Sequence, residues 1–329
     1  MKKVSNGIIS IIIVAAGTKS YLKSCLESVR KQNNSNIEII VIDNSLNQYF
    51  GQEFCSYYPE IKLYPSQKNL SYCEALNKGI EISKGNFVLC LNDDVILGED
   101  FIKEALTGFS VEEKIGLVSG KILRSDGKTI DSVELFLGLC RSANEKGYGI
   151  KDRGQFEKKR YIFGVNGAVA FYRKRMLEEI KLGLEYFDSD FRFFYEDLDI
   201  AWRAQNFGWK GFYIPTAVAF HARGATAMQG EGINKRFARR FLNDELHFDL
   251  IKNRYLAIIK NECLWSFLLH LPFVLPYDIF AWGFVLFFRR RLFKKILREK
   301  IPLTSAFGKR RLLMQRRRQF KPAPRETIN

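Results

Sequence analysis

Residues Ile8 to Val14 read IISIIIV, a β-branched run broken only by Ser10. That is the pattern of a parallel strand buried on both faces. A strand buried on both faces needs parallel neighbours and helical layers above and below it, so this run constrains everything that follows. Leu22, Cys25, Leu26 and Val29 then recur at helical spacing. A second strand is expected over Ile37–Ile42, a short third over Ile61–Tyr64 and a fourth over Phe87–Leu91. Between the last two, Ala75, Leu76, Ile80 and Ile82 mark a helix that stops near Gly85. Strand–helix alternation predicts an α/β chain whose parallel sheet is wound by right-handed crossovers.

The polar residues fall where such a sheet binds ligands. Asp43-Asn44-Ser45 follows the second strand and Asn92-Asp93-Asp94 the fourth. In open parallel sheets, ligands sit outside the carboxyl ends of the strands. The pattern weakens from Gly120 to Arg160, where Gly and charged residues suggest a loop. Order returns with Val165–Phe171, a strand that starts on a turn, and with helices over Arg175–Ile180 and Glu196–Asn206. Lys210–Ile214 and Ala217–Phe220 read as two short strands leading to His221.

The C-terminal part has a different character. Of a formal net charge of +16, Arg289–Asn329 carries +13, so a near-neutral body precedes a basic tail. Just before the tail, Leu264–Phe288 is apolar and long enough to span a bilayer. His270, Pro272, Pro276 and Asp278 interrupt it, and an ionisable group at mid-bilayer is costly. Two short helices at the membrane interface are therefore expected, followed by basic segments suited to an anionic leaflet. A packed helical subdomain or a homo-oligomer contact is the alternative use of the same residues. No nucleic-acid motif accompanies the charge, so no nucleic-acid partner is expected. The chain divides accordingly into residues 1–232 and a C-terminal region, 233–329. The six cysteines form no CxxC pair and read as free thiols of a reducing compartment. The short β-branched N-terminal run fits a first strand better than a signal peptide.

Three constellations can carry chemistry. In Leu91–Val95, adjacent acids end an apolar strand, which can hold a hard divalent cation against a diphosphate or simply form a solvated turn. In Phe193–Arg203, Glu196, Asp197 and Asp199 follow an aromatic run. Glu196 and Asp199 are three apart and can share a helix face, while Asp197 points elsewhere. A carboxylate beside rings can serve as a general base, and acids also suit a helix N-terminus through its dipole. His221 ends an apolar strand before a Gly loop and is either a metal ligand or structural.

Taken in order, these motifs resemble glycosyltransferase family 2, with its GT-A fold, and especially its bacterial rhamnosyltransferase-like members. The resemblance covers Ile8 to Thr226, with weaker echoes to Gln319. It implies that Val14, Ala15, Ala16 and Asp43 hold the nucleotide. Asn69 and Asn77, in a segment where Ser71 replaces the usual Gly, belong to the same donor side. Asn92-Asp93-Asp94 stands for the DxD-type motif, with Asp94 a metal ligand and Asp93 near ribose or diphosphate. Asn166, Gly167 and Ala168 match the acceptor-side turn. Glu196-Asp197 matches the catalytic pair, with Asp197 the base, and the helix continues with Asp199 and Arg203. His221, Gly224 and Thr226 match the later H-x-x-G-x-[ST], with His221 a second metal ligand.

The implied activity is an inverting, manganese- or magnesium-dependent sugar transfer from a dTDP- or UDP-sugar, with dTDP-rhamnose first. The implied acceptor is a lipid-linked or cell-surface glycan at the cytoplasmic face of the cell membrane. Two rivals remain. A sugar-phosphate nucleotidyltransferase is suggested by Ala15–Lys19, although it would not explain the Glu-Asp and His motifs. A membrane-bound scaffold with a vestigial site is the other, and intact Asp94, Asp197 and His221 speak against it.

Overall fold

The computed structural model describes residues 7–15, 19–33, 36–45, 52–223 and 242–320. The chain runs through β1 (Ile9–Ala15), α1 (Lys19–Arg30), β2 (Ile37–Asp43), α2 (Gln52–Tyr57), β3 (Ile61–Pro65), α3 (Tyr72–Ile82) and β4 (Phe87–Asn92). It continues with β5 (Val95–Leu97), α4 (Phe101–Phe109), β6 (Ile115–Arg124), β7 (Ile130–Ser132), β8 (Glu134–Leu137), β9 (Ala143–Lys146), β10 (Arg160–Ile162) and β11 (Val169–Arg173). Then come α5 (Lys174–Ile180), α6 (Glu196–Asn206), β12 (Lys210–His221), α7 (Asp244–Asn261), α8 (Leu264–Phe288), α9 (Arg290–Arg298) and α10 (Leu303–Phe320).

The strands form one mixed, mostly parallel sheet in the order β10-β12-β6-β11-β4-β1-β2-β3. β1 is buried along its whole length. Its residues alternate between two apolar layers: Ile12 and Val14 face the layer that holds α3 and α6, and Ile11 and Ile13 face the layer that holds α1 and α4. Burial on both faces is what its unbroken apolar run anticipates. Ser10 is the exception and is satisfied: its hydroxyl donates to Glu38 and accepts from the Gly85 amide. Helix α3 lies so close to β1 that a Cβ at Gly79 would fall 2.3 Å from the Ile12 side chain.

The direction of β11 matters most for function. It is antiparallel to β4, with Val169 opposite Leu91. Its N-terminal turn therefore lands at the edge where β4 ends. β12 is parallel to β6 and ends at His221 on the same edge. One rim of the sheet thus collects Asp43, Asn92–Asp94, Asn166–Ala168 and His221, although they are scattered through the sequence.

Three expectations are corrected. Gly120–Arg160 is not a loop: it holds the end of β6 and all of β7, β8 and β9. β8 and β9 form a small hairpin of their own, and β7 pairs with β6, so the segment is built from short strands whose local signal is weak. Lys210–Ile214 and Ala217–Phe220 are one strand, β12, which carries a register shift between Ile214 and Val218. That irregularity accommodates Pro215, which cannot donate to a ladder.

The third correction concerns the tail. Leu264–Phe288 is one helix of 25 residues with Pro272 and Pro276 inside it, rather than two short helices. Its polar side chains are matched from the body. Arg141 reaches Ser266 at 2.7 Å and His270 at 2.9 Å, and Arg254 meets Asp278 at 2.6 Å. Trp265, Leu269, Phe280 and Phe288 of this helix are exposed, each more than 70% accessible. The helix is long and apolar enough to cross a membrane by length and composition, and 11% of its most apolar window is buried. The flanking helices behave differently. Leu256 and Ala257 of α7 and Ala306 of α10 belong to the main core. Lys260 of α7 and Lys309 of α10 both pair with Asp188, so these helices are fastened to the body through buried charge. Removing one partner from such a cluster costs about 3–5 kcal/mol.

Candidate active site

The rim encloses a cleft of about 400 Å³. Its floor is the end of β4. Tyr72, at the start of α3, donates to Asn92 Oδ1 at 2.7 Å, and the Asn92 amide donates to the Ala168 carbonyl at 3.0 Å. The two sequence-distant turns are thereby hydrogen-bonded to each other.

One wall is built on Asp94 and His221. Both side chains are buried, and His221 Nε2 lies 3.3 Å from Asp94 Oδ1. His221 Nδ1 sits 2.9 Å from Asp131 Oδ2, and Arg223 Nε donates to the other Asp131 oxygen at 2.5 Å. Burial alone would lower the His221 pKa, but Asp131 and Asp94 together raise it. Asp131 is fully buried, and although burial opposes its charge, His221 and Arg223 hold its carboxyl below the ordinary range. Among the described residues no three His, Cys, Asp or Glu cluster as a ready metal cage. One carboxylate and one imidazole, with the remaining positions left to phosphate oxygens and water, still suit manganese or magnesium, which share their shell with substrate. Asp131 behind His221 is placed as an outer carboxylate would be to fix the tautomer of an imidazole that holds a metal.

The N-terminus of α6 lines the same cleft. Phe194 and Tyr195 both adopt left-handed backbone conformations, with φ of 68° and 71°. Each costs about 1–2 kcal/mol in a non-glycine residue. Asn253 of α7 holds this turn by donating to the Phe193 and Phe194 carbonyls at 2.7 and 2.8 Å. The turn aims Glu196 and Asp197 into the cleft. Asp197 Oδ2 accepts from the Gly167 amide at 3.1 Å and Oδ1 from the Leu198 amide at 2.7 Å. A Cβ at Gly167 would lie 3.4 Å from the Asp197 carboxyl, in ordinary van der Waals contact with it.

These acids sit where a helix dipole favours negative charge, an effect of up to about 2 kcal/mol. Burial outweighs it. The Glu196 carboxyl is pushed up to about 8 by burial and by Asp197 beside it, and its Oε2 has no partner among the described residues. Burial also raises Asp197, against the pull of the backbone amides it accepts from. Glu145 of β9 lines the same cleft, accepts from Asn166 Nδ2 at 2.9 Å, and is pushed to about 8 by burial and then by Asp197.

The remaining expected residues are distributed as follows. Val14, Asp93, Asn166 and Ala168 line the cleft, whereas Ala15, Asp43, Asn69 and Asn77 do not. Asp43 is buried at the end of β2; one oxygen accepts from Ser45, and Oδ2 has no partner among the described residues. Such an orphaned oxygen is costly unless a ligand donates to it. Asn69 is exposed. Asn77 is spent on structure: its carboxamide accepts from the Tyr186 and Phe187 amides and donates to the Phe187 carbonyl. Ser71, in place of Gly, takes an extended conformation and caps α3 in a reciprocal box with Glu74, so no left-handed residue is needed there. Asp199 does not share the cleft with Glu196. It is fully buried against Arg203 and Lys260, each at 2.9 Å. Ala16, Gly224 and Thr226 lie outside the described residues.

Sequence reasoning missed Asp131, Glu145, Tyr148 and Arg223. Arg223 also lies over the Tyr148 ring at 4.9 Å. All but Arg223 fall in Gly120–Arg160, and Arg223 lies two residues after the expected His221.

The sequence profile of glycosyl transferase family 2 matches residues 10–181. Among curated relatives, glycosyltransferase GlyA of Streptococcus pneumoniae is 26% identical over 161 residues, covering 43% of this chain and 23% of that protein. N-acetylglucosaminyl-diphospho-decaprenol L-rhamnosyltransferase of Mycobacterium tuberculosis is 21% identical over 236 residues, covering 65% of this chain and 76% of its own. The matched segment spans less than two thirds of several such relatives, 60%, 23% and 33% in three of them. Among solved structures, the Pyrobaculum calidifontis mannosyltransferase PcManGT in complex with GDP-Man and Mn2+ aligns with a TM-score of 0.54 at 13% identity, over 95% of this chain and 87% of that one. At that identity the likeness speaks for the fold, which is of the GT-A type.

Proposed function

This chain belongs to glycosyl transferase family 2, and from that premise we propose that it is an inverting, metal-dependent glycosyltransferase. It moves a sugar from a nucleoside-diphosphate donor to a hydroxyl of a lipid-linked or cell-surface glycan. The observation that carries this reading is that one cleft gathers Asp94 and His221, 3.3 Å apart, together with Asp197.

Asp94 and His221 would hold the manganese or magnesium ion, which when bound offsets negative charge on the diphosphate leaving group. The chain's own residues do the rest. Asp43, with its unpartnered oxygen at the sheet rim, accepts hydroxyl or base donors of the nucleotide, and Val14 and Asp93 line the cleft. Asp197 takes the proton from the acceptor hydroxyl. The new bond forms between that oxygen and the anomeric carbon, the bond to the diphosphate oxygen breaks, and its electron pair leaves with the diphosphate. Attack from the face opposite the leaving group inverts the anomeric centre. Gly167 and Leu198 hold Asp197 through backbone amides, so its position is set before substrate binds. Asn166 and Ala168 bound the acceptor side.

A dTDP-sugar, with rhamnose first, is the proposed donor, supported by the motif resemblance and by the mycobacterial relative that carries a rhamnosyltransferase name. The chain works at the cytoplasmic face of a membrane, resting there on α8 and its basic neighbours. A thermal-shift panel of dTDP, UDP, GDP and CMP, each with and without manganese, tests the donor site. A ligand bound only by the native state stabilises it by an amount that grows with the logarithm of its concentration above the dissociation constant. A metal-dependent shift with dTDP or UDP, lost in Asp94→Ala, is expected; no shift with any nucleotide would return the scaffold reading.

A further inference from the structure

A second cavity of about 390 Å³ lies between α7 and α8. Leu250, Ile251, Tyr277, Ala281, Trp282 and Phe284 are among its lining residues, and the surface they present is mostly apolar. Several polar groups in the wall are already paired. Trp282 Nε1 donates to the Tyr255 hydroxyl at 2.8 Å, and Arg254 is paired with Asp278 at 2.6 Å and bonded to the Cys140 carbonyl.

Two placements say what occupies it. Leu250 lines both this groove and the catalytic cleft, so the two spaces meet at one side chain of α7. The far wall is α8, which also exposes Trp265, Phe287 and Phe288. The groove therefore runs from an apolar, membrane-seeking surface to the edge of the reaction site. A water-soluble glycan would gain nothing from such a channel, whereas a long apolar chain gains about 0.8 kcal/mol for each methylene it buries. Building on the glycosyl-transfer reading, we infer that the groove receives the hydrocarbon chain of a lipid-phosphate-linked acceptor whose head group enters the cleft past Leu250.

The probe is geranylgeranyl phosphate carrying a benzophenone at the chain end, added to the full-length protein on vesicles of neutral phospholipid, photolysed and mapped by peptide mass spectrometry. Labelling is expected in the peptides of α7 and α8 that line the groove. Unlabelled geranylgeranyl phosphate should compete, and phosphatidylglycerol at equal concentration should not. Ala281→Trp, which fills the groove, should cut labelling about tenfold, as expected for losing the burial of a few methylenes. Ala281→Leu, a milder filling, serves if the Trp variant is unstable. Leu269→Trp, on the exposed face of α8, should leave labelling unchanged. Labelling spread along the outer face, equal competition by phosphatidylglycerol, or indifference to both Ala281 variants would overturn the assignment. So would a dimer that hides the groove, seen as doubled mass with no labelling. The nucleotide thermal shift is read on the same variants: a lost groove with an intact metal-dependent shift separates failure of this inference from failure of the transferase reading.

Discussion

His221 Nδ1 lies 2.9 Å from Asp131 Oδ2, and this contact turns Nε2 of the same ring toward Asp94, 3.3 Å away. The imidazole is clamped between a fully buried carboxylate and the rim of the cleft. Outer partners of this kind are worth about 10–100-fold in metal affinity. Asp131→Asn should therefore weaken manganese binding by about that factor while leaving His221 in place. Calorimetric titration of manganese in the presence of saturating nucleotide measures it directly; unchanged affinity would make Asp131 a purely structural residue.

Asp197→Asn keeps the shape of the side chain and removes the proposed base. Turnover should fall by about 10²–10⁴-fold, the range for a positioned general base. Nucleotide binding should survive, since Asp197 is not among the residues proposed to hold the nucleotide or the metal. A variant with wild-type turnover would exclude Asp197 as the base.

The Glu196 carboxyl, pushed up to about 8, makes stability depend on pH in a definite direction. A folded-state pKa raised above the unfolded value, about 4.3 for Glu, means that the native state holds the proton more tightly. Its stabilising contribution is complete below that unfolded value and is lost as pH rises toward 8. Thermal denaturation of the metal-free protein from pH 5 to 9 should show Glu196→Gln gaining on wild type with rising pH. Glu145, also raised to about 8, contributes in the same sense, so the double variant should flatten the profile further.

Asn253 secures the left-handed turn at Phe194 and Tyr195 with two hydrogen bonds. Asn253→Ala removes both and strands buried carbonyls, at a cost of about 1–3 kcal/mol. Because the same turn aims Glu196 and Asp197, the variant should also lose turnover more than nucleotide affinity. Denaturant unfolding paired with steady-state kinetics tests both halves; lost stability with intact turnover would confine the role to folding.

The basic tail divides its charge. Arg310 and Arg316 are bonded to body carbonyls, and Lys309 is paired with Asp188 and Asp190. Arg290, Arg291, Lys294 and Arg298 of α9 are exposed. Each exposed cation near an anionic leaflet contributes about 1 kcal/mol. Cosedimentation with phosphatidylglycerol vesicles should fall when these four become Ser, and should weaken at about 0.5 M salt, where the screening length is only a few ångströms. Binding that ignores both changes would assign attachment to the apolar face of α8 alone.

The sequence by itself determined the sheet's first half and the residues at its rim. The runs at Ile8–Val14, Ile37–Ile42 and Phe87–Leu91 are long, apolar and continuous, so burial on both faces could be read directly. The acids after them followed from where parallel sheets place ligands. The tertiary structure decided what lies between. The strands β7, β8 and β9 are three or four residues long, too short to carry a periodic signal, and Asp131 reaches His221 and Glu145 the cleft only because β7 pairs with β6 and β9 with β8. Likewise nothing local separates Asp197 from Asp199, two residues apart on one helix. Packing separates them: Asp199 is neutralised by Arg203 and by Lys260 from a helix far along the chain, while Asp197 is left facing the cleft beside Gly167. Local pattern records which residues prefer burial, and long-range pairing alone fixes which charges meet.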